Sequence, residues 1–308
     1  MSDDRILIEK IASSVEGVSS IPSRAEILEV RQHSLDDIEQ RAKRFLNIAA
    51  EAFSLPIDRR DLSVENDRTL IRLPLGAQLT AYHASGAIQL VTGLNPMESL
   101  FEDVEERERL LELVKGTTSR LNIREWVGKN ESLNFEQLWQ IKAAAADQKG
   151  QTVKPVLCRV VGAYRHFVGE LPILGAASVA VKLANKGTLD SLTVQVRETI
   201  DQVIDRVEIL PPEQAARQIF LQLSSRMGES KIPISNIAAP KWMRFGYLSL
   251  TKRKAQRLLA PVYLAAIEIE GQEEAQAYLF ATPATEKTYL PLSTEGSEPP
   301  TVAVRRAA

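Results

Sequence analysis

The sequence predicts an α+β protein in which antiparallel sheets each pack on a helix, in about three helix-plus-strands units. Three observations carry this prediction. A capped, helix-period stretch is followed by period-2 stretches, and that order recurs at roughly 25–95, 132–198 and 203–292. Short turn signals such as Ser85-Gly86 and Asn185-Lys186-Gly187 separate the period-2 stretches, as hairpins require. The 308 residues are 44% hydrophobic and 25% charged, a composition able to bury a core.

Taken in order, residues 1–22 form a leader closed by Ser19-Ser20-Ile21-Pro22. A first unit, 23–130, opens with Ser34 as N-cap and Asp37 at capping-box spacing, predicting a helix over Leu35–Phe53. Alternating segments follow at 69–74, 77–83 and 87–92. After Asn95-Pro96 the pattern turns helical over Met97–Thr118, with seven acids between Glu98 and Glu112 that predict a solvated negative face. The second unit, 131–200, begins with Phe135, Leu138, Trp139, Ala143 and Ala146 at helical spacing, and Gly150 as the C-terminal cap. Strands are expected at 156–167, 173–184 and 188–197, the last with Leu192, Val194 and Val196 on one face. The third unit, 201–292, opens a helix at Pro211-Pro212-Glu213, with proline where its missing N–H costs nothing. It carries a basic insertion at 227–260 and closing strands at 262–270, 275–281 and 288–292. A flexible tail, 293–308, ends the chain.

The balance of 38 basic and 40 acidic side chains disfavours a dedicated nucleic-acid binder. No apolar stretch approaches the ~20 residues of a membrane span. The start lacks a basic stretch leading into an apolar run, so a cytoplasmic location is the default expectation, and a secreted one if a leader has been removed. One cysteine, Cys158, excludes an intramolecular disulfide and a cysteine-based zinc cluster.

The segment Tyr164-Arg165-His166-Phe167-Val168-Gly169-Glu170-Leu171-Pro172-Ile173-Leu174-Gly175, with Ser178–Leu183 and Asn185-Lys186-Gly187, resembles the fungalysin/thermolysin propeptide motif. There a strand enters a Gly-x-x-Pro-aliphatic-x-Gly turn, and proline stiffness with glycine freedom suits such a turn. Residues 207–292 are similar to a PepSY domain, the opening being Glu208-Ile209-Leu210-Pro211-Pro212-Glu213. The resemblance implies cystatin/PepSY-like modules that inhibit an enzyme or assist its folding, a metallopeptidase being the partner it points to. No His-Glu-x-x-His motif occurs, so no peptidase accompanies them.

Candidate chemistry is sparse. His33, His83 and His166 lack metal-ligand spacing. Cys158 and His166 lie eight residues apart on one expected strand, ~26 Å at full extension, too far for a nucleophile–base pair. Arg165 and Glu170 are placed to pair across a turn, for at most about 1 kcal/mol. Phosphate-loop and Gly-x-Ser-x-Gly patterns are absent. The most unusual stretch, 230–267, has no acid and interleaves arginines and lysines with aromatics. Read as a loop or hairpin, it offers Trp242, Arg244, Phe245 and Tyr247 as partner contacts, the residue types found at hot spots; docking on the acidic 98–112 helix is the internal alternative.

These residues imply a non-enzymatic protein-binding module without cofactor or metal, an inhibitor or chaperone being the sharpest form. A pocket formed by curved sheets and lined by His83, or by His166 and Glu170, is the small-molecule or catalytic alternative. A structural subunit of a larger assembly is the third.

Overall fold

A computed structural model describes residues 3–57, 60–102, 106–144, 154–176, 178–228, 234, 237–269 and 276–292. In chain order its elements are α1 (Asp3–Ser13), β1 (Val15–Glu16), β2 (Arg24–Val30), α2 (Leu35–Phe53), β3 (Asp61–Val64), β4 (Arg68–Arg72), β5 (Gln78–Tyr82), β6 (Ile88–Val91) and α3 (Arg107–Arg120). They continue with β7 (Glu131–Ala143), β8 (Val156–Val168), β9 (Leu171–Leu174), β10 (Val179–Leu183), β11 (Leu189–Val194), β12 (Thr199–Glu208), α4 (Pro212–Met227), β13 (Ala238–Leu248), β14 (Leu258–Leu259), β15 (Pro261–Ile269) and β16 (Gln276–Pro283). The chain forms two compact units, one from 1–29, 201–248 and 258–308, the other from 30–200 and 249–257.

The second unit is dominated by one antiparallel sheet, β3-β4-β5-β6-β11-β10-β8, with β7 on the far side of β8 and β9 on its β10 side. Helix α2 starts where the sequence predicts. The Ser34 hydroxyl accepts the Asp37 backbone N–H, and the Asp37 carboxylate accepts the Ser34 N–H. Ile38, Ala42, Phe45, Leu46 and Ala49 recur at helical spacing and are buried with Leu79, Ala81, Ile88 and Leu90 of the sheet. Helix α3 lies on β8 and β10. Its Val114 fills the space that a Cβ on Gly162 would need: such an atom would stand 2.1 Å from Val114 Cγ1. At the turn after β9, Gly175 has φ +112°, and a Cβ there would meet the Ser249 carbonyl at 2.8 Å.

In the first unit, β13, β15 and β16 form an antiparallel ribbon and β1 pairs in parallel with β13. Helix α4 covers β15 and β16, and α1 packs on α4 and β13. Leu7 and Ile11 are buried on α1, Ala216, Ile219 and Leu223 on α4, and Met243, Phe245 and Tyr263 on the ribbon. A second, three-stranded sheet has the order β12-β2-β14.

This architecture corrects the expected fold class. Strands hold 41% of the described residues against 27% in helices, with four α-helices, so the chain is mostly β and is not a series of helix-plus-sheet units. The physical reason is visible at two places. Strand β6 of the first expected unit pairs with β11 of the second, Leu90 opposite Leu192, so their strands share one sheet. The helix expected from about residue 132 is strand β7 over 131–143. Its register shifts between Phe135 and Gln137, which puts Leu133, Phe135 and Leu138 on the core side despite their unequal spacing. A bulge thus imitates a helical stripe. The helix expected over 97–118 forms only from Arg107, and Asp103, Val104 and Glu105 lie outside the described residues. The turn at Gly271-Gln272-Glu273, the cap at Gly150 and the 293–308 tail lie outside them too.

Candidate functional site

Two features of the second unit can meet a ligand: the outer edge of β7 and a polar cleft beside α2. The edge follows from the strand's alternation. Leu138 faces α3 and the core at 6% exposure, whereas Trp139 and Ile141 face outward at 43% and 42%. They stand opposite Val161 and Arg159 of β8. Among the described residues, β8 is the strand that pairs with β7, so the far edge carries backbone groups that no described strand takes up. Register shifts at Phe135/Gln137 and Ile141/Lys142 leave a regular stretch from Gln137 to Ile141 between them. Bulges at both ends confine pairing to that stretch, which limits indiscriminate edge-to-edge association.

The cleft has a volume of about 700 Å³. Arg41 and Arg44 reach it from one face of α2, His33 and Arg31 from the segment before the helix, Trp126 from a 3₁₀ turn, and Glu198 from beyond β11. Each lining carboxylate already has a partner. Glu198 Oε1 is 3.1 Å from Arg31 Nε, Glu125 Oε2 is 2.9 Å from Arg44 Nη2, and Asp37 is engaged in the helix cap. Arg41 differs: Nη1 donates to His33 Nε2 at 2.6 Å, and the nearest carboxylate, Glu198, is 3.9 Å away. Burial first, and then the Arg31 and Arg44 charges, hold the Arg41 guanidinium below its usual pKa, with Glu198 opposing. Burial and the Arg41 charge bring the His33 pKa down to about 4, so its ring stays neutral at pH 7 and accepts the bond.

The residues expected to contact a partner lie on β13, which pairs antiparallel with β15, so the segment takes the hairpin form of the expectation and not the loop form. Alternation buries Met243, Phe245 and Tyr247 and turns Trp242 and Arg244 to the other face. Phe245 is fully buried against Tyr263, ring centroids 5.3 Å apart. Tyr247 donates to the Glu26 carbonyl at 3.0 Å, and burial pushes its phenol up to about 12. Phe245 and Tyr247 are therefore core residues, a correction to their expected role. Trp242 and Arg244 are half-buried; the guanidinium lies 4.9 Å from the indole centroid and bonds Glu16 at 2.9 Å.

His83 and His166, unlike His33, make contacts that only brace the fold. His83 bonds Thr69 Oγ1 at 2.9 Å. His166 is fully buried and donates from Nε2 to Glu131 at 2.9 Å, so it lines no sheet mouth with the exposed Glu170. Arg165 pairs with Glu136 across the β7–β8 ladder instead of with Glu170, and also holds the carbonyls of Ile173, Gly175 and Ala176. Cys158 is buried and in no disulfide. Among the described residues no three His, Cys, Asp or Glu side chains are grouped to hold a metal ion, and no helix is long and apolar enough to cross a membrane.

Sequence reasoning missed both features. Trp139 and Ile141 were concealed by the helical reading of 131–143. The cleft had one legible signal, Asp37, Arg41 and Arg44 at helix-face spacing on a securely predicted helix.

No family model matches the chain, and no curated protein matches it either. Among solved structures it resembles an uncharacterised protein from Eubacterium rectale ATCC 33656, with a TM-score of 0.52 and 10% identity, covering 88% of this chain and 87% of that one. This likeness concerns fold alone.

Proposed function

We propose that this chain is a non-enzymatic protein-binding module that takes an extended segment of a partner along the outer edge of β7. The observation that carries the reading is the regular stretch Gln137–Ile141, which presents a large aromatic and an aliphatic side chain beside an edge that no described strand pairs. Main-chain bonds along such an edge supply affinity, and the side chains at alternate positions supply specificity. Trp139 is the residue type that dominates interface energetics, and its exposure means that burial by a partner gains free energy now unrealised. In its sharpest form the partner is a peptidase that the module inhibits or helps to fold; only the propeptide-like segment Gly169–Gly187 supports that refinement.

The test is capture of partners by the tagged full chain at low and moderate salt, set against variants. Trp139→Ser and Ile141→Ser are expected to lose a partner retained at both salts while the unfolding free energy stays within about 0.5 kcal/mol of the parent, as for surface changes generally. Loss of the partner from Trp242→Ala or Arg244→Ala, with Trp139→Ser unaffected, would move the interface to β13 and sink the proposal. A recovered metallopeptidase with suppressed activity supports the sharper form.

A further inference from the structure

The cleft beside α2 does not belong to the β7 edge, and its charges are distributed in a way that strand pairing does not require. Three arginines line it, and the carboxylates among its walls are committed to Arg31, Arg44 and the helix cap. Arg41 is left with a neutral acceptor, His33, as its close partner, and with Glu198 beyond hydrogen-bond distance. A guanidinium carries five donors in a planar fork that matches a carboxylate. One is spent on His33 Nε2, which sets the direction of the others. His33 is itself held in place: a Cβ on Gly86 would stand only 3.0 Å from its Cδ2. One wall is apolar, formed by Trp126 and Val127, with the Trp126 ring fixed edge-on to Phe45 at 4.9 Å and its N–H turned to the Leu121 carbonyl.

We propose that this cleft binds a small carboxylic acid with an aromatic or apolar body, its carboxylate on the Arg41 fork and its body against Trp126. His33 is a positioning residue that aims Arg41 and adds no competing charge. A doubly charged phosphate suits the cleft less well. Glu198 and Glu125 stand among its walls, so a compact group of higher charge is repelled where a single carboxylate is accommodated. The size agrees, since 700 Å³ falls in the range of small-molecule sites.

The test is isothermal titration calorimetry on the full chain at pH 7, with phenylacetate as probe and phenylacetamide and inorganic phosphate as comparisons. Saturable 1:1 binding of phenylacetate is expected, weakened about tenfold or more by the amide replacement and by Arg41→Gln, the loss that removing a charge-assisted fork entails. Phosphate should not displace the probe, and Trp139→Ser should leave binding unchanged. Where Arg41→Gln fails to fold, Arg41→Lys keeps the charge without the fork and is expected to bind several-fold less tightly. Absence of phenylacetate binding, equal binding of the amide, displacement by phosphate, or full affinity in the folded Arg41 variant would each overturn the assignment.

Discussion

Glu131 offers the sharpest quantitative test of the second unit. Its carboxylate is 1% exposed and accepts four hydrogen bonds: from His166 Nε2 at 2.9 Å, the Thr199 backbone N–H at 2.7 Å, the Thr199 hydroxyl at 2.6 Å and the Gly128 N–H at 2.8 Å. Burial alone would raise its pKa; the donors outweigh that and hold it at about 2, against an ordinary 4.5. By linkage, that gap corresponds to about 3 kcal/mol. The folded pKa is depressed, so this stability is fully present above pH 4.5 and fades as the pH falls from there through about 2. Glu131→Gln turns an amide N–H₂ toward one pair of donors. It should cost about 3–5 kcal/mol at pH 7, the penalty for breaking a buried charged network from one side. Urea unfolding followed by tryptophan fluorescence suits the measurement, because Trp126 and Trp139 both belong to this unit. The difference between parent and variant should narrow steadily between pH 4.5 and pH 3. A cost below about 1 kcal/mol at pH 7, or one that does not change with pH, would refute the reasoning.

Other consequences are equally direct. Gly162→Ala drives a methyl group into Val114 and should cost about 1–3 kcal/mol; Val114→Ala in the same background should recover part of that loss in a double-mutant cycle. Arg159 is 2% exposed, bonds Asp190 at 2.7 Å and holds the carbonyls of Asn95 and Glu98. Arg159→Met should therefore destabilise the fold by about 3 kcal/mol and speed proteolysis at residues 95–98. Leu75 is 86% exposed at φ +60°, where a side chain is strained and gains no burial. Leu75→Gly should raise stability by up to about 1 kcal/mol in thermal unfolding.

Elements whose signals are local were legible in advance. Ser34 and Asp37 mark the start of α2, and an uninterrupted apolar helix face carries it to Phe53. Strand β8 runs from Val156 to Val168, within a residue of its expected end. Gly187, at φ +75°, closes the β10–β11 hairpin as Asn185-Lys186-Gly187 suggested. The errors arose where a local rule was overridden by pairing. In β7 the bulge after Phe135 changed the parity of the strand, so Leu138 became a core residue and Trp139 a surface one. In β13 a basic, aromatic-rich stretch that reads as an exposed loop or hairpin is a strand between β1 and β15, with Phe245 and Tyr247 inside instead of offered to a partner. The candidate sites suffered the same way, because the cleft needs Arg31, Arg41, Trp126 and Glu198 to converge from separate stretches.

The sequence by itself determined the capped helix α2, the hairpin turns, the alternation along β8, β10 and β11, and a near-even balance of charge. These depend on backbone preferences and on side-chain periodicity within a dozen residues, which are local quantities. Only the tertiary structure decided that β6 joins β11, that residues 131–143 extend a sheet, and that Arg41 faces a cleft with no carboxylate in hydrogen-bond reach. Those outcomes turn on which distant strands share a ladder and where a bulge shifts its register, and a one-residue shift exchanges the buried and exposed faces of a strand without changing a single residue in it.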